Sequence, residues 1–379
     1  MKQEVVQTSS MEVNRAVSDI ISKLSKPVHE YNVVIFFAAA ECDFSALAGK
    51  MKESFPKAEV LGVSAPGEIT PQGFIKQPLV VTALSCSKTS FQGVLIDNVD
   101  KFPIIDKSKL EQAALKCGIS INSASSHKDA FALTFINGVC NAEEAFLSFF
   151  HAVIKNDQFI IAGGSAGDNF EFKKTYISYN GTVATRGAVV LFVKTRCAFA
   201  VRKINIFKST GKRMTITKAD MLTRTIYELD GKRAKQYYCK NLGIPESQVD
   251  SAILDHPLGR NFNNKLYISS VTSFTPSGAI NVFNRVIPNT VVDILEPADA
   301  LQVLSENIAE IGKNISHFGC VLIIPCLLCT VGFEKHRLCG KIIDLLKSSF
   351  PTFCGFSGFG EQFGKLNNNQ TIVMVVIGE

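Results

Sequence analysis

Short runs of consecutive apolar residues alternate along the chain with longer segments in which apolar side chains recur every three or four positions. The runs have the length of buried strands, and the periodic segments have the pattern of amphipathic helices. Val33 to Ala39 is one run; a helix with Phe44, Leu47, Ala48, Met51 and Phe55 on one face follows, and Val60-Leu61-Gly62 returns as a strand. The order recurs as Phe131 to Ile136, a helix with Ala142, Ala145, Phe146, Phe149 and Val153, and Phe159 to Ala162. It comes a third time as Val321 to Ile324, a helix with Leu338, Ile342, Leu345 and Leu346, and Phe353 to Phe356. Strand, helix, strand is a βαβ unit with a right-handed crossover, so the predicted class is α/β, in mixed sheets built from repeated units.

Each return run ends in a related glycine turn: Gly62-Val63-Ser64-Ala65-Pro66-Gly67-Glu68, Gly163-Gly164-Ser165-Ala166-Gly167-Asp168-Asn169, and Gly355-Phe356-Ser357-Gly358-Phe359-Gly360-Glu361. In every copy a Ser stands two residues after a Gly, and a Gly and a carboxylate follow side by side. Such repeats place the turns at equivalent ends of their sheets, where open α/β folds hold ligands.

Between the units, Met11 to Leu24 reads as a helix capped by Ser9 or Ser10, and Leu79 to Leu84 and Phe91 to Val94 as strands. Lys101 to Cys117 reads as a helix leading into a polar linker, Ser120 to Lys128. Asn180-Gly181 is a hairpin signal that would pair Thr175 to Tyr179 with Gly187 to Val193, and Ala198 to Phe207 and Met214 to Thr217 would extend that sheet. Near Thr195 to Cys197 the pattern turns to meandering strands, dividing the chain into domains of residues 1–195 and 196–379. A tight turn at Asp230-Gly231, a helix through Ala234 and Tyr238, strands at Leu266 to Val271 and Ile280 to Val286, and a helix from Asp299 to Ile311 complete the second half.

Composition narrows the partners. A net charge of +6 spread over 379 residues, without basic clusters interleaved with aromatics, argues against nucleic acid. No apolar run approaches the roughly 18 residues of a spanning helix, and the start lacks a signal-peptide core, so membrane insertion is not expected and a cytoplasmic location is. The 11 cysteines are scattered in apolar segments and read as reduced core residues. The 28 Phe residues with no Trp read as a Phe-packed core, or in part as the walls of a flat apolar pocket.

The glycine turns are the first candidate chemistry, since their backbone N–H groups can approach a ligand while the acid binds an amine or hydroxyl. Ser165, Gly167, Asp168, Asn169, Ser357 and Glu361 are the candidate ligand contacts; in the plainer reading Ser and acid only cap their turns. Gly163 to Gly167 satisfies the G-x-S-x-G pattern of a nucleophile elbow, but a strand-like alternation follows it rather than a helix. Cys326 and Cys329 with His336 and Cys339 are candidate zinc ligands or a thiol pair, set against the alternative of a buried strand. The enzyme alternative is therefore a hydrolase or thiol-redox enzyme using Ser165 or Cys326 and Cys329.

These turns, with Glu228-Leu229-Asp230-Gly231-Lys232-Arg233-Ala234 and Asn369-Gln370-Thr371, resemble the paired N- and C-terminal FIST domains, sensory input domains of prokaryotic signal transduction. The resemblance runs from about residue 30 to the end, with four motifs in order. It implies a non-catalytic sensor, similar to the free-standing NosP type that binds haem, senses nitric oxide and regulates a partner histidine kinase; other members are proposed to bind small ligands such as amino acids. Haem requires an axial ligand and cations near its propionates, and His256 with Arg260 is the candidate pair. Two positions depart from the family pattern: Cys329 where an Arg is frequent, and Asn367 where a His is. A homodimer is compatible with this reading.

Overall fold

The computed structural model describes residues 1–121, 128–156, 158–262 and 265–379. Residues 122–127 of the expected polar linker lie outside the described residues.

All three parallel pairs form. Val33–Ala38 runs beside Glu59–Ser64, Ala130–Asn137 beside Ile160–Ala166, and Phe318–Pro325 beside Cys354–Phe356. The crossovers are Phe44–Ser54, Glu143–Ile154 and, in the third unit, two helices, Leu327–Lys335 and Cys339–Ser349. An antiparallel strand flanks the first strand of each pair: Leu79–Ser85, Ala188–Thr195 and Thr371–Gly378. Lys2–Thr8, Thr89–Ile96 and Phe199–Asn205 close the outer edges, so the three sheets share one strand order.

The opposite edge of each sheet is completed by another unit's hairpin. After its glycine turn the first unit sends Glu68–Thr70 and Gly73–Ile75 to the third sheet. The third sends Glu361–Phe363 and Leu366–Asn368 to the second, and the second sends Ile177–Tyr179 and Thr182–Ala184 to the first. This exchange closes a ring of three units, and it corrects two readings of the sequence. Asn180 (φ 47°) and Gly181 (φ 86°) make a two-residue turn that pairs Tyr179 with Thr182, too tight to reach the strand Ala188–Thr195, which lies in the second sheet. Phe199–Asn205 pairs with Thr371–Gly378 of the third sheet rather than extending the second.

Both faces of these sheets are covered, which is why their strands read as unbroken apolar runs. Val33, Ile35 and Phe37, Phe131, Leu133 and Phe135, and Leu322, Ile324 and Phe356 point to one shared interior, where Phe37 and Phe135 meet Phe356 at 5.1 and 5.9 Å between ring centroids. The alternate side chains pack under the helices of their own units. Equivalent motif glycines are sterically required at the return strands. A Cβ at Gly62 would stand 2.1 Å from the Phe36 ring, at Gly163 1.8 Å from the Thr134 carbonyl oxygen, and at Gly355 1.6 Å from that of Ile323. A fourth sheet, from Phe207–Asp220 through Thr290–Pro297, packs on the helix Ala234–Leu242.

Two local readings change. The first helix, Val13–Lys23, is capped by the Glu12 carboxylate, which accepts from the Asn14 and Arg15 amides, rather than by Ser9 or Ser10. Cys326 caps the helix Leu327–Lys335 and Cys329 lies within it, so the expected buried strand ends at Pro325. Two leucines after Cys326 fit a buried helix face as well as a strand, because a run this short has no resolvable period.

Candidate functional site at the end of the second parallel pair

The glycine turns meet through their backbones. The Ser165 amide donates to the Gly360 carbonyl, Ser357 to Gly67, and Ser64 to Tyr176; Gly167 donates to Ser64 and Phe359 to Ser165. The equivalent donor in the first turn would be residue 66, which is proline and has no N–H.

Above the junction of Ser165 with Phe359 and Gly360 lies a cavity of about 180 Å³, lined by Gly138, Val139, Asn141, Glu143, Phe172, Arg224, Phe283, Phe359, Asn367 and Asn369. It stands at the carboxyl ends of Ala130–Asn137 and Ile160–Ala166, the position at which open α/β sheets bind ligands. Its floor is Glu143, the first residue of the helix Glu143–Ile154, on the same face as the buried Phe146, Leu147 and Phe150. Glu143 Oε1 accepts from the Ser165 hydroxyl at 3.1 Å, while its buried Oε2 has no protein partner. Burial, and then the neighbouring Glu144 carboxylate, push the Glu143 carboxyl up to about 7. Gln362 Nε2 donates to Ser165 Oγ at 3.0 Å and to Asn367 Oδ1 at 3.1 Å. Asn369 presents a second buried oxygen, Oδ1, without a protein partner.

Arg224 closes the opposite wall. Its guanidinium donates to Glu144 Oε2 at 3.2 Å, to Asn141 Oδ1 at 3.1 Å and to the Phe283 carbonyl. Phe172 lies on Phe359, with centroids 4.7 Å apart, and by Phe283 at 6.5 Å. Asn141, Phe172 and Arg224 all hold left-handed backbone, with φ of 52°, 51° and 55°. Bulky residues rarely adopt it, and such strain gathers at functional sites.

The residues singled out in the sequence are distributed around this cavity rather than across it. Ser165 is wholly buried beneath it, between Glu143 and Gln362. Gly167 provides the close approach of the turns, since a Cβ there would be 2.8 Å from Pro66 Cδ. The Asp168 carboxylate accepts from the amides of Phe172, Lys173 and Lys174 and so shapes the loop that carries Phe172. The Asn169 amide pairs with Glu41 at the surface. Ser357 bonds Thr330 at 2.8 Å in a smaller crevice of the third unit. Glu361 is buried against Thr371, whose hydroxyl donates to it at 2.9 Å, and burial holds its carboxyl well above the usual range. Cys326 and Cys329 lie beside it, and burial raises both thiols strongly. His336 pairs with Asp255 at 2.8 Å, and no metal-holding group of His, Cys, Asp and Glu occurs among the described residues.

The two residues considered for haem stand apart. His256 Nδ1 faces the Leu295 carbonyl oxygen at 2.9 Å, whereas Arg260 lines a cleft of about 50 Å³ with Tyr267, Asn284 and Asn367. The 180 Å³ cavity has no His, Cys, Tyr or Met on its described walls to serve as an axial ligand, so its residues do not fit a haem. Glu143, Asn141, Phe172, Arg224, Phe283, Phe359 and Asn369 were not singled out from the sequence as contacts. Glu143 carried a signal as an acid on the apolar face of its helix, and Phe359 and Asn369 stood within motifs read from the sequence without being assigned a contact.

The fold is that of a multi-sheet α/β protein, with a cavity lined by residues from both halves of the chain. The chain belongs to the FIST family: the FIST N domain matches residues 32–232 and the FIST C domain residues 234–364. FIST domains are sensor domains of signal transduction and typically not catalytic. A sequence search of curated proteins found no match. Among solved structures, cyanuric acid hydrolase, described as an evolutionary innovation by structural concatenation, is similar at TM-score 0.40 and 6% identity, over 100% of this chain and 99% of that one. No helix of the described residues is long and apolar enough to cross a membrane.

Proposed function

We propose that this protein is a sensory input protein that binds a small organic molecule in the Glu143 cavity and regulates a partner histidine kinase. The observation that carries the binding step is a cavity two of whose lining residues, Glu143 and Asn369, each keep a buried oxygen, Oε2 and Oδ1, without a protein partner. Polar atoms buried without a partner are costly, and a ligand that supplies the partner recovers that cost. Asn141, Glu143, Phe172 and Arg224 fall in the FIST N match and Phe283 and Phe359 in the FIST C match, so a ligand touches both. Occupancy then favours one arrangement of the two parts over another, which is what a sensor needs.

The test is a thermal-shift screen of small cationic, neutral and anionic compounds against the protein and a Val139→Phe variant, chosen to fill the cavity from Val139 on its lining. A compound that stabilises the parent and not the variant, and alters the kinase's autophosphorylation in the parent's presence, is the expected result. Stabilisation that persists in the variant would place the ligand elsewhere. Haem with nitric oxide sensing is a finer reading that rests on His256. Its measurement is the absorption spectrum after haem addition, where no Soret band, or one retained in His256→Ala, removes that assignment.

A further inference from the structure

Resting on the small-ligand reading of the Glu143 cavity, we infer that its ligand is an organic ammonium ion with a compact apolar body and no carboxylate of its own. The polar inventory points this way. Two lining residues, Glu143 and Asn369, each carry a buried oxygen without a protein partner, and both call for a ligand that donates hydrogen bonds. Just behind them, Gln362 Oε1 is also buried without a partner. An ammonium group carries three donors and no acceptor, and it matches a carboxylate better than a hydroxyl does. Beside these oxygens stand the rings of Phe172 and Phe359, which favour an apolar body and a nearby cation.

Charge decides against an anion. Glu143 and Glu144 face Arg224, the cation on the described wall, and its guanidinium is already committed to Glu144, Asn141 and the Phe283 carbonyl. A ligand carboxylate would compete with Glu144 for that guanidinium and meet Glu143 as well. Two carboxylates against one guanidinium leave a site that a monocation neutralises. Besides Glu144 on its own helix and Arg224 across the cavity, Glu143 is faced by the Cys140 thiol of the preceding loop and the Ser165 hydroxyl of the return strand. With its carboxyl titrating near 7, Glu143 is ionised on the alkaline side of neutrality, where an alkylammonium is still protonated.

Calorimetric titration of the full chain with benzylammonium, benzyl alcohol, phenylglycine and benzoate at about pH 8 tests the inference. Benzylammonium should bind about tenfold or more tightly than each of the others, and its affinity should fall as the pH is lowered through 7. Glu143→Gln should bring benzylammonium down to the level of benzyl alcohol. Phe172→Ala, at a side chain 50% exposed and safe for folding, should weaken benzylammonium severalfold. Tighter binding of benzoate or phenylglycine, equal binding by Glu143→Gln, or no binding of benzylammonium overturns the ammonium assignment. In each of those cases a screen hit that is lost in Val139→Phe still upholds the small-ligand site.

Discussion

The second and third units are built alike, yet one ends in an open cavity and the other in a plug. In the second, the residues Gly138 to Ala142 separate the strand Ala130–Asn137 from the helix Glu143–Ile154, and about 180 Å³ remains. In the third, only Cys326 separates Phe318–Pro325 from the helix Leu327–Lys335, the Leu327 amide bonds the Gly358 carbonyl, and the equivalent crevice shrinks to about 60 Å³. Each crevice keeps a buried carboxyl: Glu143 here, and Glu68 there, pushed by burial up to about 8. The open and the packed crevice differ in the length of the strand-to-helix connection, while the two units share a strand order and a related glycine turn.

The largest effect should come from breaking what the units share. Gly163→Ala and Gly355→Ala force a Cβ onto a neighbouring carbonyl oxygen and should each cost about 3 kcal/mol, read as the same loss in chemical denaturation of either unit. A loss in only one would show that the units are not equivalent in packing.

Next in size are the two carboxyls. Both have folded-state pKa values raised above the ordinary 4.5, so the protonated forms are the stabilised ones. Their contribution is complete below 4.5 and disappears as the pH rises through about 7 for Glu143 and about 8 for Glu68, on the order of a few kcal/mol each and larger for Glu68. Unfolding free energies across that range should fall in the parent and flatten in Glu68→Gln and Glu143→Gln. Only Glu143→Gln should also change ligand binding, which distinguishes the open crevice from the closed one.

Arg224→Ala removes the clamp across the cavity and should cost about 2 kcal/mol while weakening any cavity ligand; a variant of full stability that binds normally would show that Arg224 does not hold the wall. The smallest change is expected at the plug. Buried thiols with raised pKa values are poor nucleophiles, so Cys326 and Cys329 should resist a thiol reagent in the native protein and react on unfolding. Rapid native labelling would revive the thiol-enzyme alternative.

Repetition made the fold legible: the parallel pairs and their crossovers follow from runs such as Val33 to Ala38 and the faces of helices such as Phe44–Ser54, because local period encodes local structure. The same turns were legible as special, and Gly163 and Gly355 are indeed required there, but Asp168 is spent on three backbone amides and Glu361 on Thr371. By itself, then, the order of residues determined the class, the three units and the glycine turns. Only the tertiary structure decided which unit's hairpin completes which sheet, and that Glu143, Arg224, Phe283 and Asn369 enclose one space. Those residues are far apart in the chain and share no local pattern, and their encounter is set by long-range strand pairing that no periodicity records.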